Sequence, residues 1–244
     1  MGWCHHIIKQ QGWVAHVVFS PTNPQHLISA SGGLIQKWDT SGHQVGPTYK
    51  GTHTAFSPDG THFISCHEGV STIWNSDSRV AMAKCQTPGY SLSSNPNSNN
   101  ATFISSCFSP DGRFIVAATG FTVYVWDITD SDPFLVGTFL GDNGLFNSLT
   151  FSPPSTLISA SYSGSVKFWQ IGDLSTNPCV GDPKSIISIS VPIKSVSLQS
   201  ENGIAISSGS NGAVRTWDLS TSLCKTVSFE NKPTQGRDFG IPGS

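Results

Sequence analysis

The sequence repeats itself five times with one aromatic anchor and one tryptophan in each copy. A phenylalanine, replaced by leucine in the last copy, precedes the tryptophan by 18 or 19 residues. The five pairs are Phe19 and Trp38, Phe56 and Trp74, Phe108 and Trp126, Phe151 and Trp169, and Leu198 and Trp217. Successive tryptophans lie 36, 52, 43 and 48 residues apart. A loose period of ~40–45 residues is typical of stacked supersecondary units of four strands each.

Each copy reads as short strands joined by tight turns, and the stretch from Phe108 to Asp127 shows the plan best. Pro110-Asp111-Gly112 predicts the first turn, because proline presets φ and glycine accepts a positive φ. The next six residues, 114–119, are small, β-branched or aromatic, as expected for a buried strand. Gly120 ends that strand, and the strand pattern resumes as far as Trp126. The composition is therefore that of a turn-rich all-β chain.

Three of the five tryptophans are followed by aspartate, at Trp38-Asp39, Trp126-Asp127 and Trp217-Asp218, and Trp74 and Trp169 precede other polar residues. With these dipeptides the chain resembles a WD-repeat β-propeller over roughly residues 13–220, and it is similar to fungal WD-repeat arrays. The resemblance implies an all-β fold of four-stranded antiparallel blades, with about five recognisable repeats. It also implies that the tryptophans end the third strands and pack between blades.

The repeats depart from the family at a hydrogen-bonded tetrad. The family usually forms it from a Gly-His pair before the first strand, an aspartate six residues before the tryptophan, a serine or threonine, and the tryptophan itself. At the aspartate position this chain has Gly32, Glu68, Gly120, Ser163 and Asn211. We therefore expect apolar stacking to provide most of the blade stability.

The array divides into an N-terminal outer strand within residues 1–12, propeller blades over 13–230 and a flexible tail over 231–244. His5 to Lys9 resembles an outer strand, so outer strands are expected at both ends of the array. A ring closed on itself would then have one strand too many. We expect an incomplete ring, closed by a partner, by self-association or by further blades.

The low charge of the chain argues against several classes of partner. Charged residues make up 11% of the sequence, and the formal net charge is −2. Such a chain lacks the basic surface that nucleic acid or anionic lipid requires. The N-terminus has no long apolar run of a signal peptide, so a cytoplasmic location is expected. The six cysteines form no C-x-x-C pair, which favours buried thiols over a disulfide framework.

No motif in the sequence predicts catalysis or a cofactor. Cys4-His5-His6 lacks the spacing of a zinc site, and His67-Glu68 lacks the second histidine of H-E-x-x-H. Neither a nucleophile elbow nor a phosphate-binding glycine loop occurs. We expect no metal, no cofactor and no enzymatic activity.

One set of positions is a candidate contact surface. The residues six positions before the anchors are Trp13, Lys50, Thr102, Leu145 and Pro192. In the family this position enters the first strand near the rim of the central channel. The resemblance therefore implies that these five residues bind a peptide or protein partner. The sequence favours a non-catalytic interaction scaffold; the alternatives are a sensor segment of a larger nucleotide-switch protein and a propeller hydrolase.

Overall fold

The computed structural model describes residues 7–88, 103–141, 144–171, 185–188, 191–199, 203–218 and 223–227. Within these ranges the chain forms twenty β-strands, and no helix is present that could cross a membrane. The strands form five antiparallel sheets of four strands, each built from four consecutive strands. These sheets are the blades of a β-propeller, so the predicted all-β fold of four-stranded blades is confirmed.

The strand bounds follow chain order from the inner to the outer strand of each blade. Blade 1 has β1 (Val14–Phe19), β2 (His26–Ser31), β3 (Leu34–Asp39) and β4 (Tyr49–Lys50). Blade 2 has β5 (His53–Phe56), β6 (His62–His67), β7 (Val70–Asn75) and β8 (Ala81–Gln86). Blade 3 has β9 (Phe103–Phe108), β10 (Phe114–Thr119), β11 (Thr122–Asp127) and β12 (Phe134–Leu140). Blade 4 has β13 (Phe146–Ser152), β14 (Thr156–Ser161), β15 (Ser165–Gln170) and β16 (Ser185–Ser188). Blade 5 has β17 (Ile193–Gln199), β18 (Ile204–Gly209), β19 (Val214–Asp218) and β20 (Leu223–Val227).

The repeated Phe-Ser-Pro-Asp-Gly sequence forms the turn between the first and second strands. In blade 3 the Gly112 amide donates to the Ser109 carbonyl at 2.9 Å, and the Phe114 amide donates to Ser109 Oγ at 2.9 Å. Gly112 has φ of 73°, a left-handed conformation that glycine adopts without a steric penalty. Ser57 and Gly60 repeat this arrangement in blade 2. The predicted turn chemistry is therefore confirmed in both blades.

Every tryptophan of the repeat is the next-to-last residue of a third strand, as the resemblance implied. We call the tryptophan-bearing face of each blade its rear face, and in blades 2 to 5 this face packs on the forward face of the preceding blade. Trp74 packs with Ile28 and Ile35 of blade 1, and Trp217 packs with Ile158 of blade 4. The same arrangement places Trp126 on blade 2 and Trp169 on blade 3. The core is thus divided into layers, one between each pair of successive blades.

Part of the family's tetrad survives in four blades. The indole Nε1 of each of these tryptophans donates to a serine Oγ on the neighbouring second strand. The bonds are Trp38 to Ser29 at 2.8 Å, Trp74 to Ser65 at 2.9 Å, Trp169 to Ser159 at 2.9 Å, and Trp217 to Ser207 at 2.8 Å. In blade 3 the equivalent register position is Ala117. These hydrogen bonds therefore add to the apolar stacking that the sequence predicts as the main source of blade stability.

The ends of the array differ from the sequence expectation. Residues 7–12 form no strand, and residues 1–6 and 231–244 lie outside the described residues. The segment 7–12 instead lies along blade 1, where the Gln11 carbonyl accepts a 3.0 Å bond from Ser31 Oγ. The inner strands pack in order from β1 to β5, β9, β13 and β17, but among the described residues no comparable contact joins β17 to β1. The ring is therefore open between blade 5 and blade 1.

The cysteines with described side chains are separate thiols. Cys66 and Cys85 are buried and Cys107 is half-buried, and none of the three forms a disulfide. Burial raises the pKa of Cys85 and of Cys107 to about 12. These three thiols are therefore protonated and unreactive core residues, as predicted, whereas Cys4 and Cys179 lie outside the described residues.

Candidate interaction surface

One edge of the blades gathers the loops that precede the inner strands and the turns between the second and third strands. In blade 1 it includes the register pairs Val14 with Ser31, Ser31 with Leu34, and Leu34 with Lys50. We call it the upper edge, and the opposite edge the lower edge. The upper edge comprises residues 12–14, 31–34, 50–53, 67–70, 119–122, 140–141, 144–146, 161–165, 191–193 and 209–214.

Four of the five sequence-predicted contact residues lie on this edge. Trp13 directly precedes β1 and is 93% exposed, the highest value among the large apolar side chains described. Leu145 precedes β13 and is exposed, and Pro192 precedes β17 and is half-buried. Lys50 corrects the expectation, because it ends the outer strand β4 and therefore lies away from the channel. Thr102 lies outside the described residues.

Blades 3 and 4 present a group of exposed apolar side chains on the upper edge. We call this group the apolar patch; it consists of Phe121, Leu140, Leu145 and Tyr162. The Gly141 amide donates to the Phe121 carbonyl at 2.7 Å, and the Tyr162 amide donates to the Leu145 carbonyl at 2.9 Å. The backbone therefore fixes the patch, although its side chains face solvent. Scattered exposed apolar residues are ordinary, but four of them on neighbouring loops of one edge make that edge a candidate binding surface.

A close backbone approach within the patch depends on Gly144. A Cβ atom on this residue would collide with the backbone nitrogen of Ser163. Glycine therefore lets the segment before β13 lie directly against the turn that carries Tyr162. Gly120 differs, because a Cβ there would meet Leu145 Cδ2 at an ordinary 3.6 Å.

A basic side chain borders the apolar patch. Lys194 at the start of β17 is exposed, and its Nζ lies 5.9 Å from the centroid of the Tyr162 ring. This distance is within the range of a cation–π contact, which favours a defined position for both side chains. The patch therefore presents aromatic side chains of the type enriched at interface centres, with one positive charge beside them.

The inner strands beneath the upper edge are joined by side-chain hydrogen bonds from blade to blade. In each case the backbone amide of one inner strand donates to a side chain of the preceding blade. The bonds are Ser106 N to His53 Nδ1 at 3.2 Å, Leu149 N to Ser105 Oγ at 3.0 Å, and Val196 N to Ser148 Oγ at 3.2 Å. We call this series the amide ladder. It satisfies backbone donors that face the channel instead of a neighbouring strand.

Two histidines stack between blades 1 and 2, with 4.1 Å between the ring centroids of His16 and His53. Burial, together with the neighbouring His16, lowers the pKa of His53 to about 3, and burial also lowers the pKa of His16. His53 is therefore neutral at neutral pH and contributes no positive charge to the channel wall.

Two grooves lie away from the apolar patch. One of about 650 Å³ opens on the lower edge between blades 2 and 3 and is lined by Asp59, Asp111 and Asp130. Another of about 480 Å³ lies between β4 and blade 2 and is lined by Lys50 and Trp74. Across the described part of the chain, no three side chains of the metal-binding types converge on one point.

The apolar patch includes three residues that the sequence did not single out, Phe121, Leu140 and Tyr162. Phe121 and Tyr162 occupy the tight turn between the second and third strands, beside Gly120 or near Gly164. A large aromatic side chain in a glycine turn was the available signal. Position relative to the anchor predicted Leu145, but it could not detect residues on the other loop.

Five four-stranded antiparallel sheets, each with a tryptophan near the end of its third strand, define a β-propeller repeat protein. The family model described as "WD domain, G-beta repeat" matches residues 89–127 and 134–170. Over these residues the chain contains WD repeats, and the repeated Trp-Asp dipeptides and the propeller fold agree with that match.

Curated relatives of the chain are fungal proteins. It is 28% identical over 141 residues to the target of rapamycin complex subunit wat1 of Schizosaccharomyces pombe, covering 57% of this chain and 43% of the relative. It is 26% identical over 186 residues to the COMPASS component SWD3 of Saccharomyces cerevisiae, covering 74% and 53%. It is 39% identical over 62 residues to ribosome assembly protein 4 of Chaetomium thermophilum, covering 25% and 12%. The chain thus spans about half the length of these relatives, or less.

Proposed function

We propose that the chain is a non-catalytic interaction scaffold that binds a peptide or protein partner on its upper edge. The observation that carries the proposal is the apolar patch of Phe121, Leu140, Leu145 and Tyr162 on a rigid sheet scaffold. Two relatives are by name a complex subunit and a complex component, which supports a role in protein assemblies. Binding in this way needs no catalytic group.

The binding energy would come from a few anchors. Phe121, Leu145 and Tyr162 would lose their exposed apolar surface against the partner, and Lys194 would pair with an acceptor beside them. Buried aromatic anchors of this kind dominate many interfaces. Trp13, Thr102 and Pro192 remain predicted contacts. The absence of nucleic-acid or membrane partners, and a cytoplasmic location, also remain predictions.

A matched pair of variants tests the proposal. Phe121 on the upper edge is 53% exposed, and Phe134 at the start of β12, on the lower edge, is 51% exposed. Phe121→Ser and Phe134→Ser therefore remove equal apolar surface from opposite edges. We expect Phe121→Ser to lose the partners that the wild-type chain captures from a lysate of the source organism, while Phe134→Ser keeps them. Equal capture by both variants would refute binding on the upper edge.

A further inference from the structure

The anchor phenylalanine at the rear face of each blade has a different environment in blade 1. Phe56, Phe108 and Phe151 are 7–9% exposed because the preceding blade covers them, whereas Phe19 is 59% exposed. Phe19 has the same strand position as the other anchors. It pairs with a second-strand residue, and that residue pairs in turn with the repeat tryptophan. The sequence thus provides blade 1 with an interface anchor that nothing in the described structure covers.

A second position on the rear face of blade 1 shows the same difference. Val17 is exposed, whereas the residues at its position in the other blades are buried: Thr54, Ser106, Leu149 and Val196. Val17 and Phe19 lie on the same side of β1, two residues apart. Together they form an exposed apolar surface on the inner part of the rear face.

The forward face of blade 5, at the opposite end of the array, is also less buried than its equivalents. On the forward face of blades 1 to 4, one aliphatic side chain per blade is fully buried by the next blade; these side chains are Ile28, Ile64, Val116 and Ile158. The equivalent side chain in blade 5 is Ile206, which is 40% exposed. In the other blades the position of Ser208 is occupied by a buried alanine or cysteine. Blade 5 therefore also has a small residue at the point where the rear face of a following blade would approach its forward face.

Within the described part of the chain, the last rung of the amide ladder joins blade 4 to blade 5. Ser148 accepts the amide of Val196, and Ser195 is the register equivalent of Ser148 in blade 5. Ser195 is exposed. In a further rung its hydroxyl would accept the backbone amide of the residue that has the strand position of Val17. Each end of the array therefore carries half of the contact that joins successive blades.

Residues 7–12 lie along the part of the rear face formed by β2, where Ser29 and Ser31 are buried, and Trp38 on β3 is buried as well; Val17 and Phe19 on β1 stay exposed. Gln10 and Gln11 contact Ser29 and Ser31 on β2 and do not cover Val17 or Phe19 on β1. Contacts between neighbouring blades inside the chain are concentrated on the inner strands. A second sheet could therefore contact Val17 and Phe19 on β1 beside this segment.

We propose that the forward face of blade 5 binds the rear face of blade 1 in a second copy of this chain. The internal interfaces show which surfaces match, an aliphatic forward face against an aromatic rear face, and the chain carries one unpaired example of each. Such a contact is head-to-tail, so its two sides use different residues and it closes into a ring or extends into an array. Neither face includes the apolar patch, so this proposal stands independently of the proposed function.

The test measures molecular mass by sedimentation equilibrium over a range of protein concentrations. We expect the mass of the wild-type chain to rise with concentration. Phe19→Ser and Ile206→Ser should each reduce association at least tenfold, because each removes one side of the contact. Both residues are exposed, so the variants should keep the fold, which circular dichroism checks. Phe134→Ser is the control and should associate like the wild type.

Mixing the two variants gives the sharpest result. Each retains the side that the other lacks, so an equimolar mixture of Phe19→Ser and Ile206→Ser should form a dimer that grows no further. A monomeric wild-type chain at all concentrations would overturn the proposal. Association that survives both substitutions, or a mixture that stays monomeric, would also overturn it.

Discussion

Trp169 Nε1 donates a 2.9 Å hydrogen bond to Ser159 Oγ inside blade 4, where both residues are almost completely buried. Three other blades repeat this pair, and blade 3 replaces the serine with Ala117. The bond links the second and third strands beneath the layer that joins blades 3 and 4. It therefore contributes both to the blade and to the contact with its neighbour.

The Ser159→Ala variant should be less stable than the wild-type chain. The substitution leaves the buried indole N–H of Trp169 without an acceptor, which costs about 1–3 kcal/mol. Urea unfolding followed by tryptophan fluorescence measures the free energy. A loss below the error of the extrapolation would show that the bond is not needed.

The reverse change is available in blade 3. Ala117→Ser would place a hydroxyl at the register position from which serine accepts the indole bond in the other blades. We expect a gain of about 0.5–1.5 kcal/mol, since the new bond joins two buried groups. The same unfolding measurement checks this, and a destabilised variant would mean that the layer around Trp126 has no room for the oxygen.

Mild acid should destabilise the fold through His53. Its pKa in the folded chain is about 3, lowered by burial from an ordinary 6.5, so between these values the unfolded state binds a proton that the folded state does not. This part of the free energy of unfolding is therefore present above pH 6.5 and is lost as the pH falls. At pH 5 the loss is about 2 kcal/mol.

The His53→Gln variant isolates this effect. The stability lost between pH 7 and pH 5 should shrink by about 2 kcal/mol relative to the wild type. A residual slope from His16 is expected, because burial lowers its pKa as well. Asp39, Asp59 and Asp127 have pKa values below 3.8, so they contribute little at pH 5. An unchanged pH dependence would show that another group is responsible.

Two glycines of the upper edge should respond differently to alanine. In Gly144→Ala the new Cβ collides with the Ser163 backbone, so we expect a stability loss of about 1–3 kcal/mol and weaker partner binding. Gly120→Ala is the control, because its Cβ meets Leu145 at an ordinary distance and the φ of Gly120 is not positive. Thermal unfolding and partner titration distinguish them, and equal effects would contradict the close approach at Gly144.

Partner affinity should depend weakly on salt. The apolar patch would contribute buried apolar surface to partner binding and no charge. Lys194 is the cation beside it. Between about 0.05 and 0.5 M salt we expect the affinity to change by less than about threefold, because screening acts only on charged pairs. A steep decline in a titration series would indicate that charge, and not the patch, determines binding.

The sequence predicted the elements that repeat and missed those that do not. The anchor-to-tryptophan spacing located the inner three strands of each blade. The two-residue strand Tyr49–Lys50 is too short to show periodicity, and Lys50 was consequently placed near the channel. Phe121 and Tyr162 were missed because turn residues carry no period.

Exposure at the ends of the array could not be read from the repeats. Phe19 and Phe56 begin the same Phe-Ser-Pro turn, yet one is exposed and the other is buried. The difference lies in whether a preceding blade is present. A residue's own repeat position predicts which face it occupies, and the neighbouring blade determines its burial.

Amide hydrogen exchange of the chain with and without its captured partner tests the central claim most directly. The account predicts slower exchange on binding in residues 119–122, 140–141, 144–146 and 161–165, the segments that form and surround the apolar patch. Exchange should be unchanged in the lower-edge turns at 57–61 and 109–113. Protection confined to those turns, or to the outer strands β8 and β12 before Leu140, would contradict a binding surface on the upper edge.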